Sequence, residues 1–302
     1  MAIQVETWRK DIMTAFYNTN SFLVASTDVS SEVLVGKIVH IPQSGGSSGA
    51  KRNRVQVPAT AVLRTDTEVV YVLDHYTSNP MAVTAMEQAE LSYQKMQSMI
   101  KENGEQMLDL AGGGILEAWA KNVPNNTQFR LSTSGVAGNP YFGLTGNRKK
   151  VAAADLRLAA SVMSQQKVSL DGRYFIATPE MIRDLKDDSD IKNVFYQVAD
   201  YKTGSLPQYA GFTIIERADT IRLKANGEVR AADDVEALNT DTFGGLFLQK
   251  ECVEHALGEK MLFHNPSDPL YFGETMSMLI RAGGRARRID NKGVLMLTMA
   301  AA

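Results

Sequence analysis

Val33-Leu-Val-Gly-Lys-Ile-Val-His-Ile41 alternates apolar and polar positions with β-branched residues, and Arg54 to Leu63 and Glu68 to Leu73 continue the pattern. These runs predict the strands of a long hairpin. Between them Gln43-Ser-Gly-Gly-Ser-Ser-Gly-Ala-Lys-Arg-Asn-Arg54 is too polar and too rich in glycine to join a core, which predicts a tip that is mobile in an isolated subunit. Two strands alone are marginal in water and their unpaired edges invite pairing, so the ribbon implies support from another subunit.

A helix is expected next. Asn79 can cap it and Pro80 can take its first position. Ala85, Met86, Ala89, Tyr93, Met96, Met99, Ile100, Met107, Leu108 and Ala111 then recur at steps of three and four, the signature of an apolar stripe. Running from Pro80 to Leu110 at 1.5 Å per residue, such a helix would be about 45 Å long. Gly104 is expected to bend it and Gly112-Gly-Gly114 to stop it.

The bulk composition sets outer bounds. A chain of 302 residues can bury one large core or two ordinary ones. Lys+Arg 32 against Asp+Glu 34 leaves a net charge of -2, so no overall field directs the chain to nucleic acid or to an acidic membrane surface. The single cysteine, Cys252, excludes an intramolecular disulfide and fits a reducing compartment. Neither a membrane span nor a secretory signal is expected, because no apolar run is long enough and charges interrupt the first residues.

Elsewhere, Glu6 to Phe22 reads as an amphipathic arm with Trp8, Ile12, Ala15 and Phe16 on one side. Asn122 to Lys150 reads as loops with short strands, and Val151 to Gln165 as a helix. Arg173 to Ala177 is a strand leading through Thr178-Pro179 into a helix over Glu180 to Leu185. Thr203-Gly204 makes a turn before a strand at Gly211 to Glu216. A third strand, Gly245 to Leu248, is expected to enter a short helix over Glu251 to Leu257. The chain closes with a hairpin of Thr275 to Ala282 and Val294 to Met299 around Asp290-Asn-Lys-Gly293. The fold class is α+β.

This order of elements resembles the major capsid proteins of tailed bacteriophages with the Hong Kong 97-like fold, over nearly the whole chain. Its most specific local piece is Arg173-Tyr-Phe-Ile-Ala-Thr-Pro-Glu-Met-Ile-Arg-Asp-Leu185, followed by Lys202-Thr-Gly204 and Tyr209-Ala-Gly-Phe-Thr-Ile-Ile215. The resemblance implies an N-terminal arm over 1–32, an extended E-loop over 33–76, and a peripheral domain with a spine helix over 77–121. An axial domain would follow over 122–250, with a return to the peripheral domain and a C-terminal hairpin over 251–302. It implies self-assembly as pentamers and hexamers into an icosahedral virion shell around double-stranded DNA, held without sequence-specific binding. It further implies assembly in the host cytoplasm with portal and scaffolding proteins, and admits a cementing protein. Because the arm begins almost at Met1, scaffolding is expected either as a separate protein or as a segment already removed. An encapsulin-type nanocompartment shares the fold and is the alternative. Lysine-to-asparagine cross-linking, found in some relatives, would fall to Lys37 or Lys51.

Chemistry is sparse. Gly45-Gly-Ser47-Ser-Gly49 matches the nucleophile-elbow pattern, yet it lacks the strand before and helix after that the chemistry needs, which leaves a soluble hydrolase a weak rival. Gly112-Gly-Gly114 lacks the lysine and hydroxyl of a phosphate loop. Cys252, His255 and His264 could ligate zinc only with a fourth ligand that the sequence does not offer. Asp187-Asp188 and Asp233-Asp234 stand in polar runs and are expected to be solvated. Neither an enzyme nor a cofactor is expected. The expected contacts between subunits are Lys51, Arg52 and Arg54 at the loop tip. Near the last hairpin they are Arg285, Arg287 and Arg288, where Arg281 and Lys292 add positive charge that could face a neighbour's acids or DNA phosphates.

Overall fold

A computed structural model of the chain describes residues 19–33, 37–47, 49–55, 57–58, 61, 63–84, 95–138, 147–192, 208–234 and 241–302. Most of the arm expected at Glu6 to Phe22, the helix stretch through Tyr93 and the Thr203-Gly204 turn lie outside the described residues.

A 3-10 turn over Ser21–Ala25 buries Phe22 and precedes β1 (Thr27–Asp28). The ribbon β2 (Ile38–Gln43) and β3 (Thr67–Val72) follows, then β4 (Asp74–Thr77) and β5 (Met81–Thr84). Helix α1 (Lys95–Lys121) comes next, with β6 (Arg130–Ser132), β7 (Ala137–Gly138) and β8 (Arg148–Lys149) after it. Helix α2 (Ala153–Gln165), β9 (Arg173–Ala177) and α3 (Pro179–Asp187) form the central unit. The remainder is β10 (Gln208–Tyr209), β11 (Phe212–Glu216), β12 (Ile221–Leu223), β13 (Thr242–Gln249), β14 (Val253–Asp268), β15 (Gly273–Ala286) and β16 (Val294–Thr298).

Two sheets carry the architecture. The larger runs β10-β11-β9-β13-β16-β6, with β12 also on β13. Its central strands are covered on both faces, so Phe175, Ile176, Leu246, Phe247, Leu248 and Val294 to Leu297 are all fully buried, and these segments read as unbroken apolar runs. Phe175 stacks on Phe247 with ring centroids 4.2 Å apart. Leu156, Ala159 and Met163 of α2 and Met181 and Leu185 of α3 join the same core. The Thr178 hydroxyl accepts a hydrogen bond from the Met181 amide, the N-cap expected from Thr178-Pro179.

The second sheet runs β1-β14-β15-β4, with β5 also on β15. Helix α1 lies against β15. Trp119 of α1 donates its indole N–H to the Glu254 carbonyl at 2.9 Å and meets Phe22 edge to face, which joins this sheet to the larger core. The ribbon rests on its own small cluster of Val29, Val39, Ile41, Val69, Tyr71, Leu73 and Ala256.

Five expectations are corrected. Asn79-Pro80 opens strand β5 and not a helix: Ser78 exchanges hydrogen bonds with Met278 on both sides, and Met81 to Thr84 pair with Gly273 to Met276. Helix α1 passes through Gly104 and Gly112–Gly114 without interruption. A Cβ at Gly112 would stand 2.1 Å from Asn20 Oδ1 and one at Gly114 2.0 Å from the Tyr76 hydroxyl, so these glycines serve close packing. Glu251 to Leu257 is a 3-10 turn, Lys250–Cys252, running into strand β14. The last hairpin does not exist, because β15 pairs with β14 while β16 inserts between β13 and β6 of the other sheet. Its fully buried Val294 to Leu297 satisfy a two-faced core that an exposed hairpin lacks. Finally, the described residues of Arg54 to Leu63 form no strand, and β2 pairs with β3 in the register Ile38 to Val72 through Gln43 to Thr67.

Candidate assembly surfaces

The ribbon is fastened to β15 and to the residue that follows it. At the loop end of β2, Gln43 Nε2 donates to the Arg287 carbonyl, and farther along the ribbon Arg285 Nη1 donates to the Val70 carbonyl at 2.9 Å. Arg287 Nε also lies 3.2 Å from Glu254 Oε2. Burial pushes the Glu254 carboxyl above its usual range, with Glu32 adding to the shift and Tyr71 and Arg287 opposing it. Burial likewise raises the Tyr71 phenol well above normal. A buried carboxylate, a phenol and a guanidinium thus meet where β3, β14 and β15 converge.

The charged residues expected at interfaces therefore divide into two groups. Lys51, Arg52 and Arg54 are exposed on the loop and make no ion pair with a described residue. Arg285 and Arg287 bond the ribbon through Val70 and Gln43, and Arg288 makes a two-pronged pair with Asp290, both contacts at 2.8 Å. Lys292 also lies 3.2 Å from Asp290. Arg281 lies in β15 opposite His75. Arg285, Arg287 and Arg288 thus make intrasubunit contacts in this structure.

Exposed apolar side chains include two groups, one on the loop and one on the β14–β15 hairpin. Val55 and Leu63 of the loop are 97% and 93% exposed. At the far end of the β14–β15 hairpin, Leu262, Phe263, Leu270, Tyr271 and Phe272 are all exposed, Leu270 and Phe272 at 82% each. The second group was missed in the sequence because only Glu251 to Leu257 was read there, as a short helix, and the residues up to Thr275 were assigned no element, although Met261-Leu-Phe263 is the signal that could have exposed it.

The remaining polar side chains hold elements together. Arg217 is almost fully buried beneath α1: its guanidinium donates to Asn20 Oδ1 and Asp109 Oδ1, both at 2.9 Å, and to the carbonyls of Thr19 and Asp219. It also lies 5.0 Å over the Phe22 ring. Arg230 bonds Asp234 and Asp241, and Arg148 pairs with Asp184 at 2.7 Å in the core. A cleft of about 780 Å³ between α1 and β12 is lined by Asn103, Gln106, Glu117 and Arg222 together with Asp109, Arg217 and Arg230. The last three spend their charge on internal pairs.

No catalytic arrangement forms from the sequence candidates. Ser47 Oγ accepts from the Gly49 amide within an exposed loop. Cys252 is buried, which pushes its thiol up and away from nucleophilic range. His255 shares a 2.7 Å hydrogen bond with Ser26 and is held toward its neutral form by burial, whereas His264 contacts Glu274. Among the described residues no group of His, Cys, Asp and Glu could hold a metal ion, and no helix is long and apolar enough to cross a membrane. Asp188 and Asp234, expected to be solvated, instead accept from the Ala153 amide at the start of α2 and from Arg230.

No family model matches the chain, and no curated protein matches it. Solved structures do match. A capsid structure of the cyanophage P-SCSP1u superposes with a TM-score of 0.68 at 19% identity, covering 99% of this chain and 94% of that one. The capsid asymmetric unit of cyanophage Pam1 gives 0.68 at 15% identity, covering 99% and 97%. A structure from Mycobacterium phage Che8 gives 0.65 at 13% identity, covering 98% and 97%. Coverage is nearly complete on both sides, so the whole chain, and not one module of it, has the Hong Kong 97-like fold.

Proposed function

We propose that this chain is the major capsid protein of a tailed bacteriophage, a structural subunit whose work is to close a shell. The full-length likeness to phage capsid structures carries the reading. A second support is the ribbon, fastened to its own subunit by Gln43 and Arg285 while its loop exposes Val55 and Leu63 to solvent, an arrangement suited to a neighbouring copy. In this reading many copies form pentamers and hexamers of an icosahedral virion shell. The shell encloses double-stranded DNA without reading its sequence, and is built in the host cytoplasm with portal and scaffolding proteins and room for a cementing protein. Residues 33–76 would be the E-loop, 77–121 and 251–302 the peripheral domain and 122–250 the axial domain, with 1–32 as the arm. Lys51, Arg52 and Arg54 would meet acidic groups of a neighbour. Arg285, Arg287 and Arg288 would act at the same seam while fixing the ribbon's angle.

The test is expression of the chain with and without a candidate scaffold, followed by electron microscopy and light scattering. Closed shells or capsomer rings are expected, and double-stranded DNA rather than a cargo enzyme inside particles recovered from infected cells. A monomer that persists under both conditions would overturn the proposal.

A further inference from the structure

The ribbon meets its own subunit's β14–β15 sheet over an apolar patch with one carboxyl set into it. Leu73, just past β3, lies over Gly283, where a Cβ would stand 2.9 Å from the Leu73 Cδ2, and Tyr71 and Ala256 belong to the same small cluster. Into this patch β14 projects Glu254, which is only 2% exposed. Arg287 Nε lies 3.2 Å from Glu254 Oε2, but the Arg287 side chain is 39% exposed and also reaches the Glu251 carbonyl. The Tyr71 hydroxyl stands beside the carboxyl, yet neither it nor Glu254 Oε1 completes a hydrogen bond with a described residue. One oxygen of the carboxyl is thus shut away from water without a donor, a costly place for a negative charge.

Few charged or titratable groups face Glu254. Glu32 comes from the 3-10 turn Ser30–Glu32, Tyr71 from β3 and Arg287 from the residue after β15. Arg285 lies directly opposite in β15 but donates to the Val70 carbonyl of the ribbon. His255, the next residue of β14, points to the other face, where it meets Ser26 and Asp28. On the ribbon, His40 and Glu68 pair with each other in an exposed position.

Burial raises the Glu254 carboxyl from its ordinary value of 4.5 and Glu32 adds to the rise, while Tyr71 and Arg287 oppose it. A ribbon lifted from the sheet would return the same carboxyl to water and to its ordinary value. The seated ribbon therefore binds the proton more tightly than the lifted one. Its seating is firmest below about pH 4.5 and weakens as the pH rises through the value of the seated state.

We propose that Glu254 is a proton-operated latch on the ribbon: with the carboxyl protonated β2 and β3 stay seated on the β14–β15 sheet, and with it ionised they lift from the sheet more readily. The latch goes beyond the capsid reading and does not rest on it, since every group in it belongs to one subunit.

Hydrogen exchange on the unassembled full chain at pH 4.5 and pH 8, with rates corrected for the intrinsic effect of pH, tests it. Protection of the β2 and β3 amides is expected to fall by about fivefold or more toward pH 8, while the β9 amides of the larger sheet stay unchanged. Glu254→Gln, neutral at every pH and still carrying the His40–Glu68 pair, is expected to keep the ribbon protected equally at both. Glu32→Gln alters an exposed residue and removes the charge that adds to the rise, so the midpoint of the fall is expected to move to lower pH. Equal ribbon protection at both pH values in the unaltered chain overturns the latch, as does a fall that persists in Glu254→Gln. A midpoint that Glu32→Gln leaves in place overturns it as well, because a purely structural part for Glu254 would not respond to that charge.

Discussion

Gly114 and Glu254 show how single residues hold the two sheets together. A Cβ at Gly114 would sit 2.0 Å from the Tyr76 hydroxyl and 3.1 Å from its Cζ. Gly114→Ala is therefore expected to cost about 1–3 kcal/mol despite the better helix propensity of alanine, and Tyr76→Phe in the same chain should recover part of it. Denaturant titration of the two variants and the double variant measures this, and equal loss with and without the hydroxyl would refute the packing account. Glu254 offers a test by pH. Its carboxyl is raised by burial from an ordinary value of 4.5, so the folded state holds the proton more tightly than the unfolded state. That contribution is fully present below about pH 4.5 and is lost as the pH rises through the folded-state value. Glu254→Gln should flatten this part of the stability profile, which thermal melts from pH 4 to 8 would show; a profile identical to that of the unaltered chain would contradict it.

At the scale of elements, local signals were legible wherever the segment makes its own case. Arg173 to Ala177 with Thr178-Pro179 was placed almost residue for residue, because a strand of apolar residues followed by a cap and a proline admits few alternatives. Thr178→Ala should cost about 1 kcal/mol and lower the melting temperature by a few degrees, as the cap of an otherwise intact helix. Misreadings came where partners outrank local preference. Pro80 suits a helix start, but Met278 offers Ser78 a place beside β15, and Val83 fills a pocket with Met99 and Met276. Gly112–Gly114 looks like a stop, yet α1 retains its glycines because Asn20 and Tyr76 need their space. Cys252 and His255 look like a helical pair, but Glu254 and His255 lie opposite Arg285 and Gly284 in a sheet.

Across the whole molecule, Arg217 and the loop carry opposite duties. Arg217 gathers Asn20, Asp109 and Asp219 around one buried guanidinium, so Arg217→Ala should destabilise the subunit by about 3 kcal/mol through lost charged hydrogen bonds. Chemical denaturation reads that loss. Deleting Ser44 to Ala50 is expected to do the reverse: the melting temperature of the subunit stays close to that of the full chain, while particle yield by light scattering falls sharply. A normal yield of shells from the deletion would remove the loop from assembly. None of the expected interface residues announced its role by type, since arginine in a sequence reads alike whether it pairs with Asp290 or waits for a neighbour.

By itself the sequence determined the α+β class, the alternating ribbon with a polar tip and the central strand-cap-helix unit. These depend on periodicity, capping and turn chemistry, all of which act within about a dozen residues. Only the tertiary structure decided that Val294 to Thr298 belongs between β13 and β6 and that Val253 to Asp268 is strand. Strand pairing joins residues far apart in the chain, and the free energy that selects among pairings comes from burying both faces at once, which no local pattern records.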